Sequence, residues 1–466
     1  MKLPEDFVHT MHSLLQGESD AFFRALDEPA STTIRLNPFK VRDISALPEL
    51  TSYVSEPLPW ASNAYYLSTR PSFTLDPLLH AGCYYVQEAA SMFMEQIVST
   101  YIDKPVRALD LCAAPGGKST HLASILPEGS LLVCNEVIRS RSAILTENII
   151  KWGNPAVVVT NNDPSEIGKI PAYFDIILAD VPCSGEGMFR KDKEAVHEWS
   201  PGTVKLCADR QKRIISDVWD SLKPGGLLIY STCTYNTEEN EENIRWISKV
   251  PEADILDITI EPDWQISAGK KYDFPVFRFF PHKTKGEGFF IAVLRKKEPE
   301  HFYSFKEKNK HSRKKRDFRL SRKKLPIPSE IYNQIIQPDA FFFENNHNTI
   351  TAIPALHHPD INLLKESLHV VHTGIRIGEI KGKDIVPDHQ LAMSGSFNKQ
   401  SFPPVEVDKN TALAFLKKES LQLPDETPKK FVTITFDGLP LGFAKNIGTR
   451  ANNLYPNDWR IRKSLF

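Results

Sequence analysis

An open, mostly parallel α/β sheet is the fold class this sequence predicts, and three observations predict it. Between about Val106 and Lys297, short β-rich apolar runs alternate with longer amphipathic segments, the pattern of strands covered by helices. Five of the runs, "VRALDLC", "LLVCNEV", "AVVVTNND", "FDIILADV" and "GGLLIYSTC", read as the strands of such a sheet. The first is followed by "LDLCAAPGGKST", a tight glycine-bearing turn that leads into a helix. Together these describe a Rossmann-like sheet. Two later runs, "FRFF" and "GFFIAVLRK", are joined by "PHKTKGE", which is too short for a crossover helix, so an antiparallel hairpin is expected at one edge.

The flanking regions differ in texture. Residues 1–90 read as a helical domain broken by proline-rich loops such as "SEPLPWASNAYY". The sheet region occupies 91–298, and the helix after Cys233 is expected to begin in "NTEENEENI", with Asn236 as cap and Glu239 reaching back. A basic linker spans 299–325. A first C-terminal domain of short runs and loops covers 326–395, and a second covers 396–466, where "KFVTITFDGLPLGFAKNIGTRANNLYP" reads as strand, D-G turn, strand and glycine loop.

Composition excludes several classes. The six cysteines form no C-x-x-C pair and no regular spacing, which argues against a structural metal or a disulfide framework and for reduced thiols in the cytosol. The first residues carry acids and no apolar run of signal-peptide length, and no stretch approaches a bilayer span. A soluble cytoplasmic monomer is expected, with no metal and no membrane partner. The net charge of −1 hides segregation: Lys306 to Lys324 holds eleven Lys and Arg against two acids, enough for several phosphate contacts unless the run is only a solvated linker.

The ending "GGKST" imitates a phosphate-binding loop, but the glycine required five residues before Gly117 is Cys112, and Pro115 removes an N–H donor. Ligands of open parallel sheets bind at the carboxyl ends of the strands, so those ends are informative. Glu136 ends the second strand, where an acid takes ribose hydroxyls, and Asp163 ends the third, where it can accept from an adenine amino group. Each could instead cap a helix or stabilise a turn. As an ordered set, without a pyrophosphate cradle, they read as an adenosine site and favour S-adenosylmethionine.

The fourth and fifth strands end in "DVPCSGEGMFRKD" and "STCTYNTEEN", which place Cys183 and Cys233 side by side at the same edge, with Asp180 nearby. Either cysteine alone reads equally as a small apolar residue. Two of them suit methylation at carbon-5 of cytosine. That carbon is a poor nucleophile until a thiolate adds at carbon-6, an acid or hydrogen-bond donor steadies ring nitrogen 3, and a base removes the carbon-5 proton.

"LDLCAAPGGKST", "DVPCSGEGMFRKD", "YSTCTYNTEENE" and "GEGFFIA", with "TIRLNPFK" and "YYVQEAASM" before them, resemble the signature motifs of the NOL1/NOP2/Sun family of RNA 5-methylcytosine methyltransferases. The C-terminal extension is similar to that family's bacterial branch acting on small-subunit ribosomal RNA, the RsmF type, whose extra domains include a PUA-like RNA-binding module. The resemblance implies Cys233 as nucleophile, Cys183 in resolving the covalent adduct, and Asp180 near both cofactor and base. It implies cofactor contacts along Cys112, Ala113, Ala114, Pro115, Gly116, Gly117 and Lys118, and at Glu136, Asp163 and Asp180. It implies an RNA partner, small-subunit rRNA or the 30S particle, with transfer RNA as the alternative. The region after Pro326, with the basic linker, is expected to supply RNA affinity and orientation rather than chemistry.

Overall fold

The computed structural model describes residues 2–298 and 327–462, so the basic run Lys306 to Lys324 lies outside the described residues. The N-terminal region is α/β rather than helical. After helices Glu5–Leu15 and Ser19–Asp27, strands β1 (Thr32–Leu36), β2 (Val54–Pro57), β3 (Ala64–Leu67) and β4 (Tyr84–Val86) form an antiparallel sheet in the order β2-β3-β1-β4. Its strands are three to five residues long, and two of them, "AYYL" and "YYV", carry adjacent tyrosines rather than an alternating pattern, so each is defined by its partner.

The central sheet follows the expected order. Strands β5 (Arg107–Asp110), β6 (Leu131–Asn135), β7 (Val157–Thr160), β8 (Phe174–Asp180) and β9 (Leu222–Thr232) are parallel in the order β7-β6-β5-β8-β9. Chain order reverses at β5, so the crevice at the carboxyl ends of β5 and β8 is where a ligand belongs. Strands β10 (Ala253–Leu256), β11 (Phe277–Phe279) and β12 (Phe289–Lys296) close one edge, and β11 pairs antiparallel with β12 as the hairpin reading requires. Side chains alternate between two cores: Leu132, Cys134, Ile176 and Leu178 on one face, Leu131, Val133, Ile177 and Ala179 on the other. The helix after Cys233 starts later than expected, at Glu241, and runs to Ile247. Asn236 Oδ1 does accept from Glu239 N at 2.9 Å and Glu239 reaches back to Asn236 Nδ2 at 2.8 Å, but across a turn that precedes the helix and within a buried polar network.

Beyond the linker, β13 (Phe341–Asn346), β14 (Thr349–Pro354), β16 (Ile375–Lys381) and β17 (Asp384–Pro387) form one sheet. The intervening segment leaves it: helix His358–Ser367 buries Ile361 and Leu364 in the second core, and β15 (Val370–Thr373) pairs antiparallel with β7, completing a nine-stranded central sheet. The last region carries β18 (Pro404–Glu406), β19 (Phe431–Phe436), β20 (Leu439–Asn446) and β21 (Ala451–Asn453), with Asp437 and Gly438 at the β19–β20 turn. Its Phe415, Leu416 and Ile434 share a core with Ile34, Leu36 and Tyr84 of the N-terminal sheet. No helix among the described residues is long and apolar enough to cross a membrane.

Candidate active site

The turn after β5 is fixed from several sides. Ala113 N donates to Asn135 O at 2.8 Å, Arg141 Nη2 to Ala114 O at 2.8 Å, and Asn148 Nδ2 to Pro115 O at 2.8 Å. Gly116 sits at φ 116°, a left-handed conformation, and a Cβ there would meet Leu145 Cδ1 at 3.3 Å. Helix Gly117–Ile125 then begins with Lys118 aimed at the next strand end. Arg35 of β1 also supports this helix start. Its guanidinium, fully buried and stacked 4.5 Å over Trp152, donates to Gly117 O at 3.3 Å and Thr120 Oγ1 at 2.7 Å, with Nε on Gln87 Oε1 at 3.0 Å. Burial brings its pKa down to about 9. Sequence reasoning gave this residue no role beyond its place in "TIRLNPFK", because an arginine on a strand ordinarily faces water.

The three strand-end carboxylates differ in what they leave free. Asp110 is buried under the turn, with Oδ2 accepting from Ser119 Oγ at 2.7 Å and Oδ1 without a partner among the described residues. Burial, together with the charges of Asp180 and Glu136, pushes it up to about 7, against the Ser119 hydrogen bond. Glu136 is buried; Oε1 accepts from Ile138 N at 2.9 Å and, among the described residues, Oε2 has only Arg141 at 3.5 Å. Asp163 is exposed and caps the short helix Pro164–Ile167, with Oδ1 accepting from Ser165 Oγ at 2.7 Å and Ser165 N at 3.0 Å. These bonds lower its pKa. An unpartnered buried acceptor and a loosely paired carboxylate beside a glycine turn fit a polar adenosine-bearing ligand, with exposed Val137 and Ile138 as an apolar flank.

At the next strand ends, Cys183 Sγ stands 3.0 Å from Cys233 Sγ and accepts from Cys233 N at 3.3 Å. The hydrogen bond with Cys233, then burial, raises the Cys183 thiol well above its ordinary range. Burial likewise raises Cys112. Asp180 Oδ2 pairs with Lys118 Nζ at 2.8 Å, and Oδ1 accepts from Ser231 Oγ at 2.7 Å. Burial works against the ammonium, but Asp180 outweighs it and Lys118 is held above its usual range, with Cys233 among the groups it senses. The structure therefore joins Cys183, Cys233, Asp180 and Lys118 in one cluster, and places Asp163 at a separate strand end.

Two buried glutamates lock the thiol loops. Glu186 accepts from Thr234 Oγ1, Tyr235 N, Asn236 N, Asn236 Nδ2 and Trp199 Nε1 at 2.5–3.0 Å. Glu239 accepts from Ser184 N at 3.0 Å, Gln211 Nε2 at 2.7 Å and Asn236 Nδ2 at 2.8 Å. Gly187 N donates to Cys233 O at 2.9 Å, and a Cβ on Gly187 would lie 2.4 Å from Gly288 O. So the "GEGM" and "GEGF" segments meet backbone to backbone.

A parallel sheet that presents a glycine turn and carboxylates at β5 and β6, and paired thiols at β8 and β9, defines an α/β enzyme of the methyltransferase class. Residues 103–295 match the model of the 16S rRNA methyltransferase RsmB/F family, residues 3–89 the N-terminal domain of 16S rRNA methyltransferase RsmF, and residues 402–461 the RsmF PUA domain. The chain is 30% identical to the ribosomal RNA small subunit methyltransferase F of Cronobacter sakazakii, over 98% of this chain and 96% of that protein. It is equally 30% identical to the one from Aliivibrio salmonicida, over 100% and 99%. A solved methyltransferase homolog from Pyrococcus horikoshii superposes with a TM-score of 0.54 at 26% identity, covering 63% of this chain and 95% of that one. The chain belongs to the RsmB/F family of 16S rRNA methyltransferases, in its RsmF branch.

Proposed function

We propose that this protein methylates carbon-5 of a cytosine in 16S rRNA with S-adenosylmethionine as donor. The observation that carries the proposal is the thiol pair, 3.0 Å apart at adjacent strand ends beside the Lys118–Asp180 ion pair. Residues Cys112 to Lys118 would hold the methionine end of the cofactor, Glu136 the ribose hydroxyls and Asp163 the adenine amino group. Bound there, the cofactor supplies an electrophilic methyl group.

The remaining work falls to the chain. The hydrogen bond with Cys233, then burial, raises the Cys183 thiol well above its ordinary range, and Cys233 is the sulfur assigned the attack. Attack at carbon-6 moves electron density to carbon-5 and toward ring nitrogen 3, where Asp180 faces the base edge. The ammonium of Lys118 offsets negative charge developing in this crevice. Once the methyl group is in place, the carbon-5 proton passes to a base such as water, the C5–H electrons re-form the C5–C6 double bond and Cys233 leaves as the thiolate, which the Cys183 thiol 3.0 Å away can protonate. A target base must quit its stack to reach sulfur at a sheet edge, which favours unpaired cytosines. The last domain, similar to the RsmF PUA domain, supports RNA binding by this chain.

The test is incubation of the purified protein with unmodified 16S rRNA or 30S particles and labelled S-adenosylmethionine, followed by bisulfite sequencing. A protected cytosine that depends on Cys233 supports the reading. Label incorporated at any position other than cytosine carbon-5 overturns it.

A further inference from the structure

The segment that leaves the C-terminal sheet to join the central one reaches the cofactor site by two short routes. Asn161 N donates to His369 O at 3.0 Å, while Asn161 Nδ2 donates to Glu136 O at 2.6 Å and Val137 O at 3.0 Å. His369 N donates to Asn162 Oδ1 at 3.1 Å. Asn162 O in turn accepts from Asn135 Nδ2 at 2.9 Å, and Asn162 N donates to Asn135 Oδ1 at 3.0 Å. Asn135 continues to the glycine turn, its Nδ2 on Leu111 O at 3.3 Å and its carbonyl accepting from Ala113 N at 2.8 Å. One main-chain residue of the C-terminal region therefore touches the loop carrying Asp163, the backbone of Glu136 through Asn161, and the turn at Cys112 through Asn162 and Asn135.

The segment is anchored as part of the catalytic domain. Helix His358–Ser367 buries Ile361 and Leu364 against Leu131, Val133 and Val158. Asp360 Oδ1 accepts from Tyr173 Oη at 3.0 Å and pairs with Arg107 Nε at 3.1 Å, with the Arg107 guanidinium 4.8 Å over the Tyr173 ring. Covering the open edge of β7 would need only the ladder Val370↔Thr160 to Thr373↔Val158. The bonds between His369 and the Asn161–Asn162 loop go further, since they fix a loop past the end of the strand.

We propose that the main chain at His369 is a positioning element of the cofactor site, through which the C-terminal region sets affinity for S-adenosylmethionine. This rests on the adenosine assignment above. The full-length chain is compared with His369→Pro, which deletes the donor, Asn162→Ala, which deletes the acceptor together with the Asn162 Nδ2–Glu166 Oε2 bond at 3.0 Å, and the double variant. Each single change is expected to weaken S-adenosylmethionine binding about fivefold to tenfold, the worth of one partly buried hydrogen bond. The double variant should be no weaker than the more severe single one, because both remove the same bond. In turnover, KM for the cofactor should rise by that factor while kcat at saturating cofactor and KM for RNA hold, which a general loss of structure would not give.

Hydrogen exchange on the unaltered protein gives a second reading that needs no variant: saturating S-adenosylmethionine should increase protection of the His369 and Asn161 amides. Unchanged protection, parental affinity in Asn162→Ala, or losses that simply add overturns the proposal. A parent protein that binds no S-adenosylmethionine, or whose Glu136→Ala variant binds it undiminished, overturns the adenosine assignment instead.

Discussion

Cys183 Sγ and Cys233 Sγ stand 3.0 Å apart, and the hydrogen bond between them, then burial, raises the Cys183 thiol well above its ordinary range. This asymmetry gives the two residues opposite failure modes. Cys233→Ala removes the attack on carbon-6, so methylation should vanish and no adduct should form. Cys183→Ala leaves attack possible but slows resolution, so with S-adenosylmethionine a protein–RNA species stable to denaturing electrophoresis should accumulate. The double variant should resemble Cys233→Ala. Adduct in Cys233→Ala and none in Cys183→Ala would reverse the roles.

Glu136 presents one carboxylate oxygen that pairs loosely with Arg141, at 3.5 Å. Loss of a charged hydrogen bond to ribose costs about 1.5–3 kcal/mol. Glu136→Ala should therefore bind S-adenosylmethionine about 10- to 100-fold more weakly by calorimetry. Because Oε1 holds only the local Ile138 amide, the melting temperature should stay close to the parent's.

The five parallel strands were legible because each is a β-branched or leucine-rich run whose end carries a chemical residue. What escaped the sequence depends on partners far along the chain. "AYYL" and "YYV" become strands only because Ile34 meets Tyr65 and Leu36 meets Tyr84. "VVHT" joins β7 across about 210 residues. Asn236 has the composition of a helix cap, yet its amide serves the buried carboxylates Glu186 and Glu239, so the helix waits until Glu241. The thiol pair was legible as two residues at neighbouring strand ends. The glutamates that lock their loops were not, since a fully buried Glu186 is recognisable only by the five donors around it.

Asp110 supplies a pH dependence of stability. Its pKa is raised to about 7 in the folded chain, chiefly by burial, from the ordinary carboxylate value of 3.8 that it has when unfolded. Between those values the folded state holds a proton that the unfolded state has lost, so this residue's contribution is full below about pH 4 and falls as pH rises toward 7. Asp110→Asn, which keeps an acceptor for Ser119, should flatten that decline. Denaturant midpoints of the two proteins at pH 5 and pH 8 should show a smaller difference for the variant; an equal difference would assign the dependence elsewhere.

Arg35 separates support of the site from support of the fold. Its Nη1 is buried without a partner among the described residues while Nη2 holds the start of helix Gly117–Ile125, so part of the desolvation cost of the guanidinium is not returned as hydrogen bonds there. Methionine has nearly the same length, keeps contact with Trp152 and needs no donors. Arg35→Met should therefore cost less stability than Arg35→Ala, although Gln87 Oε1 is left without its Arg35 donor, a loss of about 1–3 kcal/mol. It should still weaken S-adenosylmethionine binding by about tenfold, because Gly117 and Thr120 lose the group that sets the turn at Lys118. Arg35→Ala should lower both, since it also leaves the Trp152 face unfilled. Calorimetric affinity beside denaturant unfolding of the two variants distinguishes the effects. Parental cofactor affinity in Arg35→Met would mean that the Pro115 and Ala114 anchors, Asn148 and Arg141, hold the turn without help from the N-terminal sheet.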